Sequence, residues 1–416
     1  MLSPYTESTE DSERWAWAAD GFASDGGAAH DRRTDAGGPE RIEMSNTETD
    51  PREHICTGAE EACGVEILGA RAVPLGGPRA MTVHRTLPQR SRSLIGPWCF
   101  ADHFGPDDVT STGGMAVPRH PHTGLATVTL LFAGEIEHID SSGFANTVRP
   151  GEVNLMIAGS GISHSEFSRP EERILHGVQL WYALPSEQRF GTPGSQHHVA
   201  DSATVPGGRV STFLGSCAGL TSPVETRTPA VAAQLDVEPG ATLELELDPD
   251  SEHGVLIDTG DAEICATGTE AAAESAGARE AASAVGEQET ARRVVARELS
   301  YIPPGATRLS VTARGDEPAR AVLIGGPPLG EQIVMWWNFV GRSHDEIIAF
   351  RQEWQAEIGR EESPAHTGGA GASDTGRAGR SDAGVPADMD FGPFPADTPD
   401  PLPAPRLPNA RLRPRG

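Results

Sequence analysis

The chain has no lysine, only three tyrosines and five cysteines in 416 residues, and each scarcity removes a class of explanation. Cys56, Cys63, Cys99, Cys217 and Cys265 are odd in number, scattered and without CxxC spacing, which argues against a disulfide framework or a thiolate zinc site and fits a reducing cytoplasm. Nowhere is there an apolar run of about 18 residues, as a membrane span needs. The first residues, MLSPYTESTEDSERW, carry no basic stretch followed by an apolar one, so no export signal is expected either. Basic residues are scarce as well: 33, all arginine, stand against 60 acidic ones, for a formal charge of -27. Such a field repels phosphate backbones and anionic lipid, so neither nucleic acid nor a membrane is an expected partner. The absence of lysine itself reads as a compositional bias without mechanistic weight.

The length suits two ordinary domains, but the hydrophobic content is only 37%, with 48 glycines and 34 prolines, so part of the chain is expected to lie outside any core. Residues 1–60 read as a disordered acidic leader and 361–416 as a disordered Pro/Gly/Arg-rich tail. Between them strand signals dominate. ATVTLLF at 126–132, EIEHI at 135–139, ANTVR at 145–149, EVNLMI at 152–157, ISHSEF at 162–167 and RILHGVQLWYALP at 173–185 are punctuated by AGE, SSG, PG and GSG turns. Many short strands at this spacing make an all-β sandwich or closed barrel. A second set, from RVSTFLG at 209 to RAVLIGGPPL ending at 329, repeats the rhythm, so the expectation is one all-β unit over 64–195 and a second over 196–360. An Ala/Glu-rich insert at 269–293 reads as a surface loop or marginal helix. A helix is expected in GRSHDEIIAFRQEWQAEIG, where Ser343 and Glu346 form a capping box and Ile347, Phe350, Trp354 and Ile358 recur at helical spacing.

Chemistry concentrates in HPH at 120–122 and HSE at 164–166. Residues i and i+2 of a strand share a face, so His120 pairs with His122 and His164 with Glu166. Residues 123–163 hold about four short strands, enough to run round a small barrel and bring the two pairs together. Three imidazoles and a carboxylate suit divalent iron, manganese, cobalt, nickel or copper, and zinc would accept them too. His138, His176, Asp102 and His103 are further polar candidates around the site, and Cys99 reads as buried packing.

HPHTGLATVTLLFAGEIEHIDSSG, RPGEVNLMIAGSGISHSE and LHGVQLWYALP, together with GPWCFADHFGP at 96–106 and MWWNFVGRSHDEI near the end, resemble the pirin family of the cupin superfamily over roughly residues 64–357. The resemblance implies two tandem cupin barrels of jelly-roll type with a C-terminal helix. It implies that His120, His122, His164 and Glu166 ligate a metal, usually iron as Fe(2+), and that the second barrel is metal-free; that unit contains His253 but no HxH pair. One departure stands out. The usual first cupin motif has a carboxylate four residues after its second histidine, and this chain has Ala126 there, which removes a candidate base.

Two functions follow from the resemblance. Bacterial pirins resemble quercetin 2,3-dioxygenases, which implies a small aromatic, flavonol-like or enediol substrate, dioxygen, and Glu166 as the catalytic proton acceptor. Other members resemble metal- or redox-dependent regulators that dock onto a transcription factor or metabolic enzyme, which implies a protein partner.

Overall fold

The computed structural model describes residues 65–75, 81–169, 171, 173–268, 291–360, 384–386 and 389–416. The expected leader at 1–60 lies outside them. Each of the two repeated units is a barrel of one seven-stranded and one four-stranded sheet, and all strand pairs in these sheets are antiparallel. In the first, the large sheet runs Gly194–Val199, Glu152–Ile157, Leu125–Ala133, Ile174–Ala183, Trp98–Asp108, Met81–Leu87, Arg71–Leu75; the small one runs Ala116–His122, Ile162–Ser168, Ile136–Asp140, Ala145–Val148. The second barrel repeats the plan. Its large sheet holds Leu299–Ile302, Glu252–Thr259, Ala319–Gly326, Val231–Val237, Gly208–Leu214 and Asp201–Val205, and its small one Thr242–Glu246, Ala306–Ala313, Asp261–Gly268, Arg292–Val295. The expected all-β pair of barrels is what the chain forms.

Strand alternation decides what each barrel encloses. On Leu125–Ala133, Ala126, Val128 and Leu130 join Val178, Leu180 and Tyr182 in an apolar cluster that continues into Leu256, Val322 and Ile324 of the second barrel. The two large sheets therefore pack face to face, and Trp98 seals the joint by donating its indole N–H to Gly325 O at 3.0 Å. Residues of opposite parity on the same strands, among them Thr129, Gln179 and Trp181, turn toward the interior of the first barrel.

The boundaries differ from those expected. The division at 195/196 falls inside Gly194–Val199, which pairs with Glu152–Ile157 and so belongs to the first barrel. Glu66–Leu68, read as the start of the first unit, instead pairs with Leu299–Ile302 at the edge of the second barrel's large sheet. Of the insert, 269–290 lies outside the described residues, while Arg292–Val295 is a strand paired with Asp261–Gly268.

The helix His344–Glu357 forms as its periodicity predicts, with Ser343 Oγ accepting from Glu346 N. The return half of the capping box is replaced: the Glu346 carboxylate accepts from Arg342 N at 2.6 Å and from Arg189. The tail departs further from expectation. Its stretch 361–383 is outside the described residues, but 389–416 lies along the helix and the first barrel. Phe391 is fully buried against Phe339 and Trp354, and the Trp354 indole donates to Leu402 O. Proline-rich chain can pack this way because it needs few backbone partners, and side-chain donors supply them: Arg351 reaches Pro405 O, and Arg119 reaches Gly392 O. Among the described residues no helix is long and apolar enough to cross a membrane.

Candidate metal centre

His120 lies on Ala116–His122 and His164 on Ile162–Ser168, neighbouring antiparallel strands in which these two residues are directly opposite. His122 sits opposite Ile162, and a register shift between His164 and Glu166 brings Glu166 opposite Val117. Bulges of this kind re-aim side chains beside functional sites. All four residues are buried. Ligand atoms of His120, His122 and His164 lie within 4.8 Å of one another, as do those of His138, His164 and Glu166, so His164 belongs to both groups.

Hydrogen bonds on the far side of each ring fix which nitrogen is free. His120 Nδ1 is 2.9 Å from Pro118 O and His122 Nδ1 is 3.2 Å from Asn338 O. A carbonyl only accepts, so each Nδ1 carries the proton and each Nε2 presents a lone pair inward. His122 Nε2 in turn lies 3.0 Å from His164 Nε2. Burial pushes the His120 imidazole down to about 4 and holds His122 and His164 well below the usual histidine range, so all three are neutral near pH 7. Converging neutral nitrogens with their outer N–H groups anchored are a poor fit to an empty core and a good fit to a divalent cation. Burial raises the Glu166 carboxyl, with the Thr129 hydroxyl 3.3 Å from its Oε1.

These groups line a cavity of about 60 Å³ together with Pro74, Leu75, Arg85, Phe100, Asp102, Gln179, Trp181 and Asn338. Arg85 and Asp102, both buried, form a two-pronged ion pair with both N–O distances 2.7 Å, and the guanidinium lies 4.3 Å from the Phe100 ring centre. Phe100 stacks on Trp181 with centroids 4.0 Å apart, and Trp181 meets His122 edge-on.

The other sequence candidates separate by strand parity. Asp102 looks into the cavity, whereas its neighbour His103 looks toward the second barrel. There His103 Nε2 and His176 Nε2 both contact Asp258 Oδ1 at 2.6 Å, and Arg320 holds Oδ2 at 2.6 Å. His138 is beside His164, with Nδ1 atoms 3.3 Å apart. Cys99 is buried, and burial pushes its thiol up to about 12. Ala126 belongs to the inter-barrel cluster, so a carboxylate there would face apolar packing rather than the cavity. Sequence reasoning missed Arg85, Thr129, Gln179 and Asp140; only Asp140 had a readable signal, being two residues after His138 on one strand.

The chain matches the family description Pirin over residues 80–182 and Pirin C-terminal cupin domain over 232–358. A Pseudomonas aeruginosa protein whose name gives quercetin 2,3-dioxygenase as a provisional activity is 38% identical over 325 residues, which is 77% of this chain and 92% of that one. Human pirin is 29% identical, covering 67% of this chain and 92% of its own. The crystal structure of quercetin 2,3-dioxygenase from Acinetobacter baumannii superposes with a TM-score of 0.62 at 29% identity, over 75% of this chain and 95% of that one. With two pirin units in order on a pair of barrels, the chain belongs to the pirin family.

Proposed function

We propose that the chain is a metal-dependent dioxygenase of the quercetin 2,3-dioxygenase type, with the metal held by His120, His122, His164 and Glu166. The observation that carries this reading is the convergence of three neutral imidazoles, two of them anchored on the outer side by backbone carbonyls, beside a buried carboxyl in one cavity. The names of the Pseudomonas and Acinetobacter relatives supply the reaction class. Fe(2+) is our choice of ion, and it would supply a Lewis-acid centre able to engage dioxygen and a substrate hydroxyl.

The chain's own groups prepare that chemistry. Glu166, with its carboxyl raised by burial, takes the proton from the acidic hydroxyl of an enediol or flavonol-like substrate. Gln179, 2.8 Å from the Thr129 hydroxyl, helps set the carboxyl's orientation. Phe100 and Trp181 give an aromatic wall for a planar ring. The cavity holds only a few water-sized molecules, since one needs roughly 10–15 Å³.

The test is metal content after anaerobic purification, then oxygen uptake with quercetin as probe, for wild type and Glu166→Gln. About one metal per chain, with oxygen consumed by wild type alone, is the expected result. Metal bound without uptake by either protein would overturn the dioxygenase reading, and no metal bound would overturn the site.

A further inference from the structure

Behind His164 a chain of buried groups leads away from the cavity, and its protons can be placed one by one. Asp140 Oδ1 accepts from Ser142 N at 2.8 Å and from the Ser142 hydroxyl at 2.6 Å. Its Oδ2 faces the Ser195 hydroxyl and, at 3.2 Å, His138 Nε2. Burial pushes this carboxyl up, but the hydrogen bonds from His138, Ser142 and Ser195 outweigh it and hold it below its usual range, so it is a carboxylate that only accepts. The His138 N–H that this carboxylate accepts is therefore on Nε2, and Nδ1 offers a lone pair. That lone pair faces His164 Nδ1 at 3.3 Å, which must then carry the His164 proton. In the opposite tautomer His164 would aim an N–H at His122 Nε2, inside the cavity and in the place of a ligand bond.

We propose that Asp140 is a positioning residue for the metal centre, acting through His138 to hold His164 as the Nδ1–H tautomer with Nε2 free to ligate. His120 and His122 obtain the same restraint from backbone carbonyls, which no side-chain substitution removes; His164 obtains it from two side chains. The inference rests on the metal reading above, and its test separates the two.

Asp140→Asn is the sharp variant. Ser142 N can only donate, so it retains the amide oxygen at the Oδ1 position and turns the amide nitrogen toward His138 Nε2. The chain then runs backwards: the amide donates to His138 Nε2, His138 Nδ1–H donates to His164 Nδ1, and His164 Nε2 carries a proton into the cavity. Asp140→Ala removes the bias without inverting it. Removing such an outer partner costs on the order of 10–100-fold in metal affinity. In Co²⁺ titrations of the full chain, read by visible absorption, Asp140→Ala should lose that factor and the nearly isosteric Asp140→Asn should lose more, with a spectrum missing one nitrogen ligand. Asn binding as tightly as wild type, or more tightly than Ala, would overturn the proposal. Wild type binding no Co²⁺ would instead sink the metal reading. Independently of any variant, ¹⁵N-histidine NMR of the metal-free wild type should show His164 protonated at Nδ1 and His138 at Nε2. A His164 Nε2–H signal contradicts the proposal even if the Asn variant fails to fold.

Discussion

The two barrels share a strand plan and differ in what their small sheets turn inward. In the first, Ala116–His122 and Ile162–Ser168 present His120, His122, His164 and Glu166. The strands at the same places in the second barrel, Thr242–Glu246 and Ala306–Ala313, present Leu243 and Leu245 opposite Val311 and Leu309, all buried in one apolar cluster. One architecture thus carries either a polar or an aliphatic wall. The polar one is held in shape by hydrogen bonds behind each ring, whereas the aliphatic one needs only complementary volume. Backbone topology therefore places the wall, and the alternation of a few residues decides whether it is a site.

The largest expected effect comes from erasing that difference. Giving the first barrel the second's wall, with His120→Leu, His122→Leu, His164→Leu and Glu166→Val together, should abolish metal binding entirely. The metal-free variant exchanges desolvated polar side chains for aliphatic ones but leaves Pro118 O, Asn338 O and His138 without their partners, at about 1–3 kcal/mol each, so it should be no more stable than metal-free wild type. Metal analysis after dialysis and the denaturant midpoint of the metal-free forms check both halves. A quadruple variant that still holds metal would show that the ligands lie elsewhere, and one more stable than metal-free wild type would show that the groups behind the rings do not depend on the histidines for their hydrogen bonds.

The joint between the barrels comes next. His176 and Asp258 each sit at a register irregularity, between Leu175 and Gly177 and between Ile257 and Thr259, which directs them to one point with His103. Removing one member of a buried charge pair costs roughly 3–5 kcal/mol, so Asp258→Asn should lower stability by that order. Burial pushes the Asp258 carboxyl up, but His103, His176 and Arg320 outweigh it and hold it far below its usual value. A depressed carboxyl contributes stability that is complete above the unfolded value near 3.9 and is lost as pH falls from there toward the folded value. The gap between wild type and Asp258→Asn should accordingly be constant above about pH 5 and narrow below about pH 4. Denaturant titrations over that range decide it, and a pH-independent gap would mean that the aspartate is not ionised at the joint.

What the sequence revealed and concealed follows the same division. HPH and HSE were legible as a cluster of donors because residues i and i+2 of a strand share one face, a local pattern. His138 was legible as a candidate, but not its direction, since that depends on which strand lies beside Ile136–Asp140. His103 and His176 stand near the site in the chain and yet serve the other barrel, because a bulge and the partner Asp258 settle where they point. The loss of a carboxylate at Ala126 mattered less than expected, since that position faces the inter-barrel packing. Composition misled most at the far end. Phe391, Leu402 and Ala404 are too widely spaced among prolines to show any periodicity, and only the groove beside Trp354 gives them somewhere to go.

The smallest effects lie on the outer faces of the two small sheets, where an arginine of each barrel invites direct comparison. Arg308 pairs with Glu244 at 3.3 Å, and both side chains are 58% exposed, so solvent screens the pair and Arg308→Ala should change stability by no more than about 0.5 kcal/mol. Arg119 is 14% exposed and does more. Its Nε donates to Ser163 Oγ at 2.9 Å and its guanidinium reaches Gly392 O at 2.9 Å and Glu357, while its own backbone oxygen accepts from Leu402 N. It thereby ties the two histidine strands to the helix and to the C-terminal segment. Arg119→Ala should cost about 1–3 kcal/mol, since it strands buried acceptors, and should speed proteolysis within 389–416. Equal effects at Arg119 and Arg308 would mean that the C-terminal segment adds nothing to the first barrel, and the contrast between the barrels would then rest on their interiors alone.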